Sequence, residues 1–197
     1  QGEVGPTGPQ GPKGDTGENG EAGLTITETE DAFIIVYKGV TFTLPKPPPP
    51  PSMTISLITS GCVGESISLY IYADYADQTD VWIDLNNNGK KDQGESDIVF
   101  GGYKNYTIGA QTITIYGKVT YLDCSYNQLT SLDVSQNTAL EYLYCEGNLL
   151  TGLDVSKNIA LGILACDENS LTSLDVTNNT ELEYLYCCGN QITGGQM

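Results

Sequence analysis

The C-terminal half of this 197-residue chain repeats itself every 21 residues. Four columns keep that step: Cys124, Cys145, Cys166 and Cys187; Leu122, Leu143, Leu164 and Leu185; Asn127, Asn148, Asn169 and Asn190; and Leu129, Leu150, Leu171 and Ile192. A fixed period near 20 residues is typical of units that bury an apolar side only by stacking on their neighbours. The period therefore predicts a solenoid over residues 117–197, and a stacked surface is better suited to binding than to catalysis.

Each unit contains the leucine-rich-repeat pattern, as in the stretch 140–150, where Cys145 takes a position that usually holds leucine. Side chains alternate across a strand, so we expect Leu143 and Cys145 to point inward while Tyr142 and Tyr144 point outward. We expect the asparagine columns to satisfy backbone groups where the chain bends.

The pattern L-x-C-x-x-N-x-L-T-x-L-D-V-[ST]-x-N-x-x-L occurs at 122–140, 143–161 and 164–182, and a fourth copy begins at 185. This resembles the cysteine-bearing 21-residue repeats of bacterial surface proteins of the internalin type. The resemblance implies a secreted or cell-surface recognition module, without implying a particular ligand.

A column of aromatic side chains is predicted to face outward from the cysteine strands, and we take it as the candidate ligand-binding surface: Tyr121, Tyr142, Tyr144, Tyr184 and Tyr186. Exposed tyrosine on a rigid face suits a protein or a glycan ligand. The alternative is that the rings stack only to stabilise neighbouring repeats. Ile163 and Ala165 interrupt the column in the third repeat, which argues against one continuous site.

The repeated cysteines are predicted to be small buried apolar residues, because strands about 4.8 Å apart hold thiols poorly for disulfides or for a converging metal site. Cys188 is expected to face solvent, and a bridge between Cys62 and Cys188 is an open alternative.

Glycine occupies every third position from Gly2 to Gly23. Because only glycine fits at the crowded axis of a collagen triple helix, this phase predicts a collagen-like stalk over residues 1–23 and a homotrimer formed through it. A flexible glycine-rich linker is the alternative. The run starts in mid-pattern at Gln1, so we expect further triplets upstream.

Three further pieces lie between the stalk and the repeats. Residues 24–44 are predicted to form a β-hairpin, which either helps trimerisation or packs on the next domain. Residues 45–51 form a polyproline spacer. Residues 52–116 alternate as a small β-sandwich that caps the solenoid. The predicted fold class is therefore mainly β: collagen-like triple-helix segment, β-hairpin, small β-sandwich and leucine-rich-repeat solenoid.

The twelve residues from Asp84 to Glu95 match D-x-[DN]-x-[DN]-G-x₅-E, a spacing that places oxygen ligands around Ca²⁺. Gly89 would make the sharp turn, and a structural Ca²⁺ is predicted on six candidate ligands: Asp84, Asn86, Asn88, Lys90 through its carbonyl, Asp92 and Glu95. The alternative is a turn rich in asparagine and glycine that holds no metal.

The flanks of this loop are predicted strands rather than helices. The run Trp82-Ile83-Asp84-Leu85-Asn86, with Gly89 and Gly94-Glu95, resembles the GEVED-type β-domain of bacterial extracellular proteins. Asparagines replace some aspartates of that pattern, which puts the affinity for calcium in doubt more than the geometry.

The composition excludes several functions. A net charge of −17 opposes binding to nucleic acid or to an anionic membrane. The absence of histidine removes Ser-His-Asp and Cys-His catalysis, and no catalytic residue is predicted. No apolar stretch reaches 18 residues, so the sequence predicts no membrane span.

The sequence thus favours a non-enzymatic adhesion or ligand-binding module, located outside the cell or on its surface. A structural fibre or appendage subunit, bacterial or phage, whose repeats serve self-assembly, is the main alternative. A carbohydrate-active enzyme is a third, since carboxylate pairs are abundant.

Overall fold

The computed structural model describes residues 24–28, 32–45 and 53–193. The chain divides into two compact units, Gln1–Pro49 and Pro50–Met197. The first contains a three-stranded antiparallel sheet of β1 (Leu24–Glu28), β2 (Ala32–Tyr37) and β3 (Val40–Pro45). The β2–β3 turn has positive φ at Lys38 and at Gly39, as tight hairpins require. The predicted hairpin is therefore two strands of a three-stranded sheet.

One face of this sheet is apolar. Residues opposite each other in an antiparallel pair share a face, and the register places Leu24 opposite Tyr37 and Ile26 opposite Ile35. Six large apolar side chains of this face are 44–62% exposed: Leu24, Ile26, Tyr37, Val40, Phe42 and Leu44. We call these six residues the apolar face; they matter below because so small a sheet is marginal in water unless such a face is covered.

The second unit contains two sheets and one 3-10 helix, Gln78–Asp80. Its strands are β4 (Thr54–Thr59), β5 (Ser66–Tyr72), β6 (Trp82–Asp84), β7 (Tyr103–Thr107), β8 (Thr112–Tyr116), β9 (Tyr121–Asp123), β10 (Leu129–Asp133), β11 (Tyr142–Tyr144), β12 (Ile163–Ala165) and β13 (Tyr184–Tyr186). The four-stranded sheet has the order β10-β4-β8-β6. The six-stranded sheet has the order β13-β12-β11-β9-β5-β7.

The repeats supply the parallel part of the six-stranded sheet. Strands β9, β11, β12 and β13 pair in register with a 21-residue offset, so that Leu143 lies between Leu122 and Leu164. We call each of these four strands a rung. The first rung, β9, also pairs antiparallel with β5, and β10 pairs antiparallel with β4. Strands from residues 52–116 and from the repeats therefore belong to the same two sheets.

The predicted fold class is wrong, because the repeats share their sheets with the strands before them. The described residues form 13 strands and one 3-10 helix in three open sheets, with no separate solenoid, no closed sheet and no triple helix among them. The reason is that the first repeat has no repeat before it and pairs with non-repeating strands, which periodicity cannot reveal. The predicted collagen-like segment 1–23 and the spacer residues 46–51 lie outside the described residues.

One apolar core runs through the whole second unit. Strand β4 alternates in sequence and in burial, and Ile55 and Leu57 are fully buried. The same core continues through Leu122 and Leu143 to Leu164, all fully buried. Burying one such side chain contributes about 1.5–3 kcal/mol. Because the core is continuous, the repeats and the strands before them fold as one unit.

Asparagine side chains join successive turns of the repeats. The Oδ1 atom of Asn148 accepts the N–H groups of Asn127 (3.0 Å) and Leu129 (2.9 Å). Its Nδ2 atom donates to the carbonyls of Cys124 (3.1 Å) and Cys145 (3.0 Å). Asn169 and Asn190 make equivalent Nδ2 bonds to backbone carbonyls. This confirms the expectation that the column satisfies backbone groups where the chain bends.

A second asparagine column lies at the opposite side of the repeats: Asn137, Asn158 and Asn179. The Nδ2 atom of Asn158 donates to the carbonyls of Val134 (3.0 Å) and Asn137 (2.8 Å). Asn158 is fully buried, and Asn148 of the first column is 5% exposed. Asn158 makes fewer hydrogen bonds than Asn148, so we expect the second column to contribute less to the free energy of unfolding than the first.

We predict that Asn148→Ala lowers the free energy of unfolding by about 2–4 kcal/mol, because it leaves two buried N–H groups without an acceptor. Asn158→Ala removes donors only and should cost less, about 1–2 kcal/mol. Urea denaturation followed by circular dichroism measures both. The exposed Asn178→Ala is the control and should change little. Equal costs for Asn148 and Asn158 would contradict the assigned roles.

Candidate functional site

A surface of tyrosines covers one face of the six-stranded sheet. We call it the tyrosine face, and it comprises Tyr70, Tyr72, Tyr103, Tyr121, Tyr142, Tyr144, Tyr184 and Tyr186. Residues that lie opposite each other in paired strands project from the same side of the sheet. The pairing of these strands therefore places the eight tyrosines on one side. The five tyrosines predicted from the repeats are thus brought together with three from β5 and β7.

The rings from β7 to β11 contact one another. The Tyr70 ring lies 5.4 Å from that of Tyr103 and 4.8 Å from that of Tyr121, centroid to centroid. Tyr121 in turn stacks on Tyr144 at 5.3 Å and lies 5.7 Å from Tyr142. These distances are in the range of favourable aromatic pairs. Ring stacking along the sheet, the alternative role considered from the sequence, is therefore present as far as β11.

The column is interrupted at β12, where Ile163 and Ala165 stand in register with the tyrosines on either side. A cavity of about 370 Å³ opens there, lined by Tyr144, Glu146, Ile163, Ala165, Tyr184 and Tyr186. Tyr184 and Tyr186 are about half exposed, and Ala165 is buried. Ile163 and Ala165, which from the sequence argued against one continuous site, thus form the floor of a cavity walled by aromatic rings.

Carboxylates border this cavity. Partial burial raises the pKa of Glu146 above its usual value, and the nearby carboxylates of Asp167 and Asp123 raise it further. The ion pairs formed among the described residues join Lys104 to Asp97 and Lys118 to two other aspartates, so none includes Glu146 or Asp167. The cavity is therefore an electronegative site.

Asp123 is held by its neighbours and is not free to bind a ligand. It is buried, and the Tyr103 hydroxyl donates a hydrogen bond to its Oδ2 atom. This bond raises the pKa of Tyr103 well above its usual value. Its Oδ1 atom accepts the N–H of Ser125 at 2.9 Å. Both carboxylate oxygens of Asp123 thus have hydrogen-bond partners within the protein.

Three of the four repeated cysteines lie in the core, as predicted, and Cys187 is partly buried against it. Cys124, Cys145 and Cys166 are fully buried, and all six cysteines are free thiols. Burial raises the pKa of Cys166 to about 12 and that of Cys145 well above its usual value. Such thiols are not nucleophiles near neutral pH. Cys62 and Cys188 are exposed and unbridged.

The predicted calcium loop begins where β6 ends. Asp84 and Glu95 are 1% and 4% exposed. The Asp84 carboxylate accepts the N–H groups of Asn88 (3.1 Å) and Gly89 (2.7 Å). The Glu95 carboxylate accepts the N–H of Leu85 at 2.9 Å, and the Glu95 carbonyl accepts that of Ile83 at 2.8 Å. The first and last positions of the motif are therefore buried and adjacent in the loop.

The middle positions converge on Asp92. The Nδ2 atoms of Asn86 and Asn88 donate to its Oδ2 atom at 2.9 and 2.6 Å, which lowers the pKa of Asp92. The N–H of Lys90 donates to Asn88 Oδ1 at 2.7 Å, and Gly89 has a φ of 72°. The structure thus joins all six predicted positions in one hydrogen-bonded loop, although Asn86, Asn88, Lys90 and Asp92 lie at the surface.

The loop's donor atoms suit a hard cation, because carboxylate and amide oxygens are what Ca²⁺ prefers. Among the described residues, no three side chains of His, Cys, Asp or Glu form a metal-binding cluster. The three carboxylates of the loop, those of Asp84, Asp92 and Glu95, therefore do not converge on one point in this structure, and the other predicted ligands are two asparagine amides and a backbone carbonyl. The residues present fit Ca²⁺ by chemistry, and binding itself is a proposal.

No family model and no curated protein matches the chain. A solved structure similar to part of this chain is the functional domain of InlJ from Listeria monocytogenes, which includes a cysteine ladder. The identity is 48% over 39% of this chain and 17% of that chain, with a TM-score of 0.39.

This chain spans about a sixth of the length of that structure, so what the whole of InlJ does is not transferred to it. The comparison does not bear on the calcium loop, the GEVED-like run or the Gly-X-Y stretch. No helix in the described part of the chain is long and apolar enough to cross a membrane.

Sequence reasoning missed part of the site. Tyr70, Tyr72 and Tyr103 were not predicted, although alternation in β5 places Tyr70 and Tyr72 on one side of their strand. Glu146 was not predicted as a residue of the site either. The missing information was that β5 continues the sheet of the repeats.

Proposed function

We propose that this chain is an extracellular or cell-surface adhesion module that binds a protein or glycan ligand on its tyrosine face. The observation that carries this proposal is the aromatic-walled cavity at β12, set in a surface of eight tyrosines. Tyrosine supplies a large contact area at low entropic cost, and it is enriched at binding hot spots. The internalin-type resemblance of the repeats supports the same location and role.

The arrangement favours binding over chemistry. The tyrosines project from short strands whose register is fixed by the core and by the asparagine column, so their positions are set before a ligand arrives. Beside the cavity, the rings of Tyr184 and Tyr186 are 51% and 49% exposed, and elsewhere on the face that of Tyr103 is 64% exposed. Rigid, half-exposed aromatic rings beside a cavity are what recognition of a flat or ring-shaped group requires.

We predict that replacing four cavity-side tyrosines with serine, at Tyr142, Tyr144, Tyr184 and Tyr186, abolishes saturable binding to any ligand found on an array of extracellular-matrix proteins and glycans. The affinity should fall at least tenfold, because the aromatic contact area is lost. Binding is measured by biolayer interferometry at several protein concentrations. The control is Tyr75→Ser, since Tyr75 is 89% exposed and lies outside the tyrosine face.

An unchanged affinity in the fourfold variant would contradict the proposed site. Circular dichroism and a thermal melt must show that the variant keeps its fold, because Tyr144 also stacks on Tyr121.

We further propose that the loop 84–95 binds a structural Ca²⁺. Two buried carboxylates, those of Asp84 and Glu95, belong to one loop, and the ion pairs among the described residues include neither of them. A cation would offset the cost of burying both charges. Three carboxylates and two amide oxygens are available, and the millimolar calcium found outside cells suffices for weak sites of this kind.

We predict that 2 mM Ca²⁺ raises the melting temperature of the protein and that Glu95→Gln abolishes this rise. The reason is that ligand binding to the folded state alone stabilises it, and Glu95 is the predicted bidentate ligand. Differential scanning calorimetry with Ca²⁺ or with a chelator measures the effect. Asp154→Asn, which removes a charge in the repeats, should keep the full rise. A melting temperature insensitive to Ca²⁺ would contradict the site.

The apolar face of the β1–β3 sheet favours a second candidate function, that of a fibre or appendage subunit. Six exposed apolar side chains on a sheet of three strands need a cover in water. The five prolines from Pro47 to Pro51 follow this sheet in sequence. We propose that copies of this chain supply the cover, in the homotrimer predicted from the sequence.

We predict a solution mass near three times that of one chain by multi-angle light scattering, at two protein concentrations. Phe42→Asp, in the middle of the apolar face, should shift the mass towards that of a single chain because a charge cannot be buried there without a partner. Thr41→Asp, on the other side of the same strand, is the matched control and should leave the mass unchanged. A single-chain mass for the unaltered protein would contradict the trimer.

A further inference from the structure

The cavity at β12 lies where the column of tyrosines lacks a ring. Rungs of a parallel sheet lie about 4.8 Å apart, so the backbones that carry Tyr144 and Tyr186 lie about 9.6 Å apart, with Ala165 between them. A planar group in contact with carbon atoms on both faces needs about 7–8 Å between those atoms. The small Ala165 side chain thus leaves the space that one tyrosine ring would fill.

The cavity is amphipathic along its length. Ile163 lies at one end, in register with Tyr142 and Tyr184, and gives an apolar surface. Glu146 lines the cavity near Tyr144, and the carboxylate of Asp167 lies close enough to raise the pKa of Glu146. An occupant should therefore have a flat head and an apolar stem.

The charge of the surroundings decides which flat head fits. Residues 117–193 carry ten carboxylates and two lysines. Those lysines do not neutralise the cavity: Lys118 pairs with Asp74 and Asp77, and no ion pair among the described residues includes Glu146. Aromatic faces attract cations as well, because the ring faces carry partial negative charge. A cationic planar group gains from both, whereas a neutral sugar gains from neither charge.

We propose that this cavity binds the guanidinium group of an arginine side chain on a partner protein. The guanidinium lies between Tyr144 and Tyr186, its hydrogen bonds go to the Glu146 carboxylate, and the methylene stem of the arginine packs on Ile163. Guanidinium is planar and stacks on aromatic rings, which distinguishes it from the compact ammonium of lysine. Its fork of N–H groups also matches a carboxylate.

This inference rests on the proposed function and adds the chemistry of the ligand. It also accounts for the interruption of the tyrosine column: a tyrosine at position 165, like those at the same register in β11 and β13, would occupy the place of the arginine.

The test uses the full chain and four defined probes in isothermal titration calorimetry. The first is the blocked tripeptide acetyl-Gly-Arg-Gly-amide. The second replaces arginine with citrulline, which keeps the planar shape but removes the charge. The third replaces arginine with lysine, and the fourth is the trimer of N-acetylglucosamine. We expect the arginine peptide to bind at least tenfold more tightly than the citrulline peptide and several-fold more tightly than the lysine peptide.

Two pairs of variants locate the binding. Ala165→Tyr fills the cavity and should weaken arginine binding at least tenfold, whereas Ala160→Tyr adds the same ring at an exposed position and should not. Glu146→Gln should weaken binding several-fold, whereas Asp175→Asn removes an equal charge from another exposed position and should have little effect. Raising NaCl from 50 to 500 mM should also weaken binding, because partly exposed charges are screened.

Several outcomes overturn the inference. Equal binding of the arginine and citrulline peptides rules out recognition of charge, and tighter binding of the sugar assigns the cavity to glycans. Binding that survives Ala165→Tyr lies elsewhere, and absence of binding at 10 mM peptide excludes the site. If the fourfold tyrosine variant loses saturable binding on the array while the arginine peptide does not bind, only the guanidinium assignment fails. If the array and the peptide are both negative, the proposed function fails as well.

Discussion

The hydrogen bonds of the asparagine column fix the geometry on which the rest of the repeat region depends. A chain that turns every few residues leaves N–H and C=O groups at each bend that cannot pair within a strand. Asn148 satisfies such groups in its own turn and in the turn before it, so one side chain holds two turns at a constant spacing. Because Asn169 and Asn190 repeat these contacts, the strands stay in register although each is three residues long.

Because of that register, the residue types at each repeat position determine the shape of the surface. Residues 21 apart stand side by side, so a column of tyrosines forms a stacked surface and a single change in the column forms a recess. Ala165 between Tyr144 and Tyr186 is such a change. Inward positions follow a different rule: Leu143 and Cys145 are fully buried and can only fill the core. The repeat therefore separates the residues that hold the fold from those that are free to vary with the ligand.

Much of this could be predicted from the sequence, and the errors share one cause. The 21-residue period predicted which leucines and cysteines are buried, and the D-x-N-x-N-G spacing predicted a loop whose positions 84–95 are joined by hydrogen bonds. The period could not show that β9 pairs with β5 or β10 with β4, because those partners are not repeats. Strand β1 was missed, since Leu24–Glu28 is too short to stand out until its pairing with β2 is known. Local patterns do not encode long-range pairing, and this accounts for the incorrect fold class. It also explains why Ile163 and Ala165 were predicted only to interrupt the tyrosine column, whereas they line a cavity.

The same pairing gives the calcium loop a mechanical connection to the repeats. The loop begins at Asp84, at the end of β6; Ile83 of β6 pairs with Ile115 of β8, and β8 pairs with β4, which pairs with β10 of the first repeat. Ile83 and Ile115 are fully buried in the core that also holds Leu122. A cation that stabilises the loop would therefore stabilise the sheet edge against which the first repeat is built. The repeats share this one core with the strands before them. A cation bound in the loop would therefore also stabilise the rungs that carry the tyrosine face, although the loop is far from them in sequence.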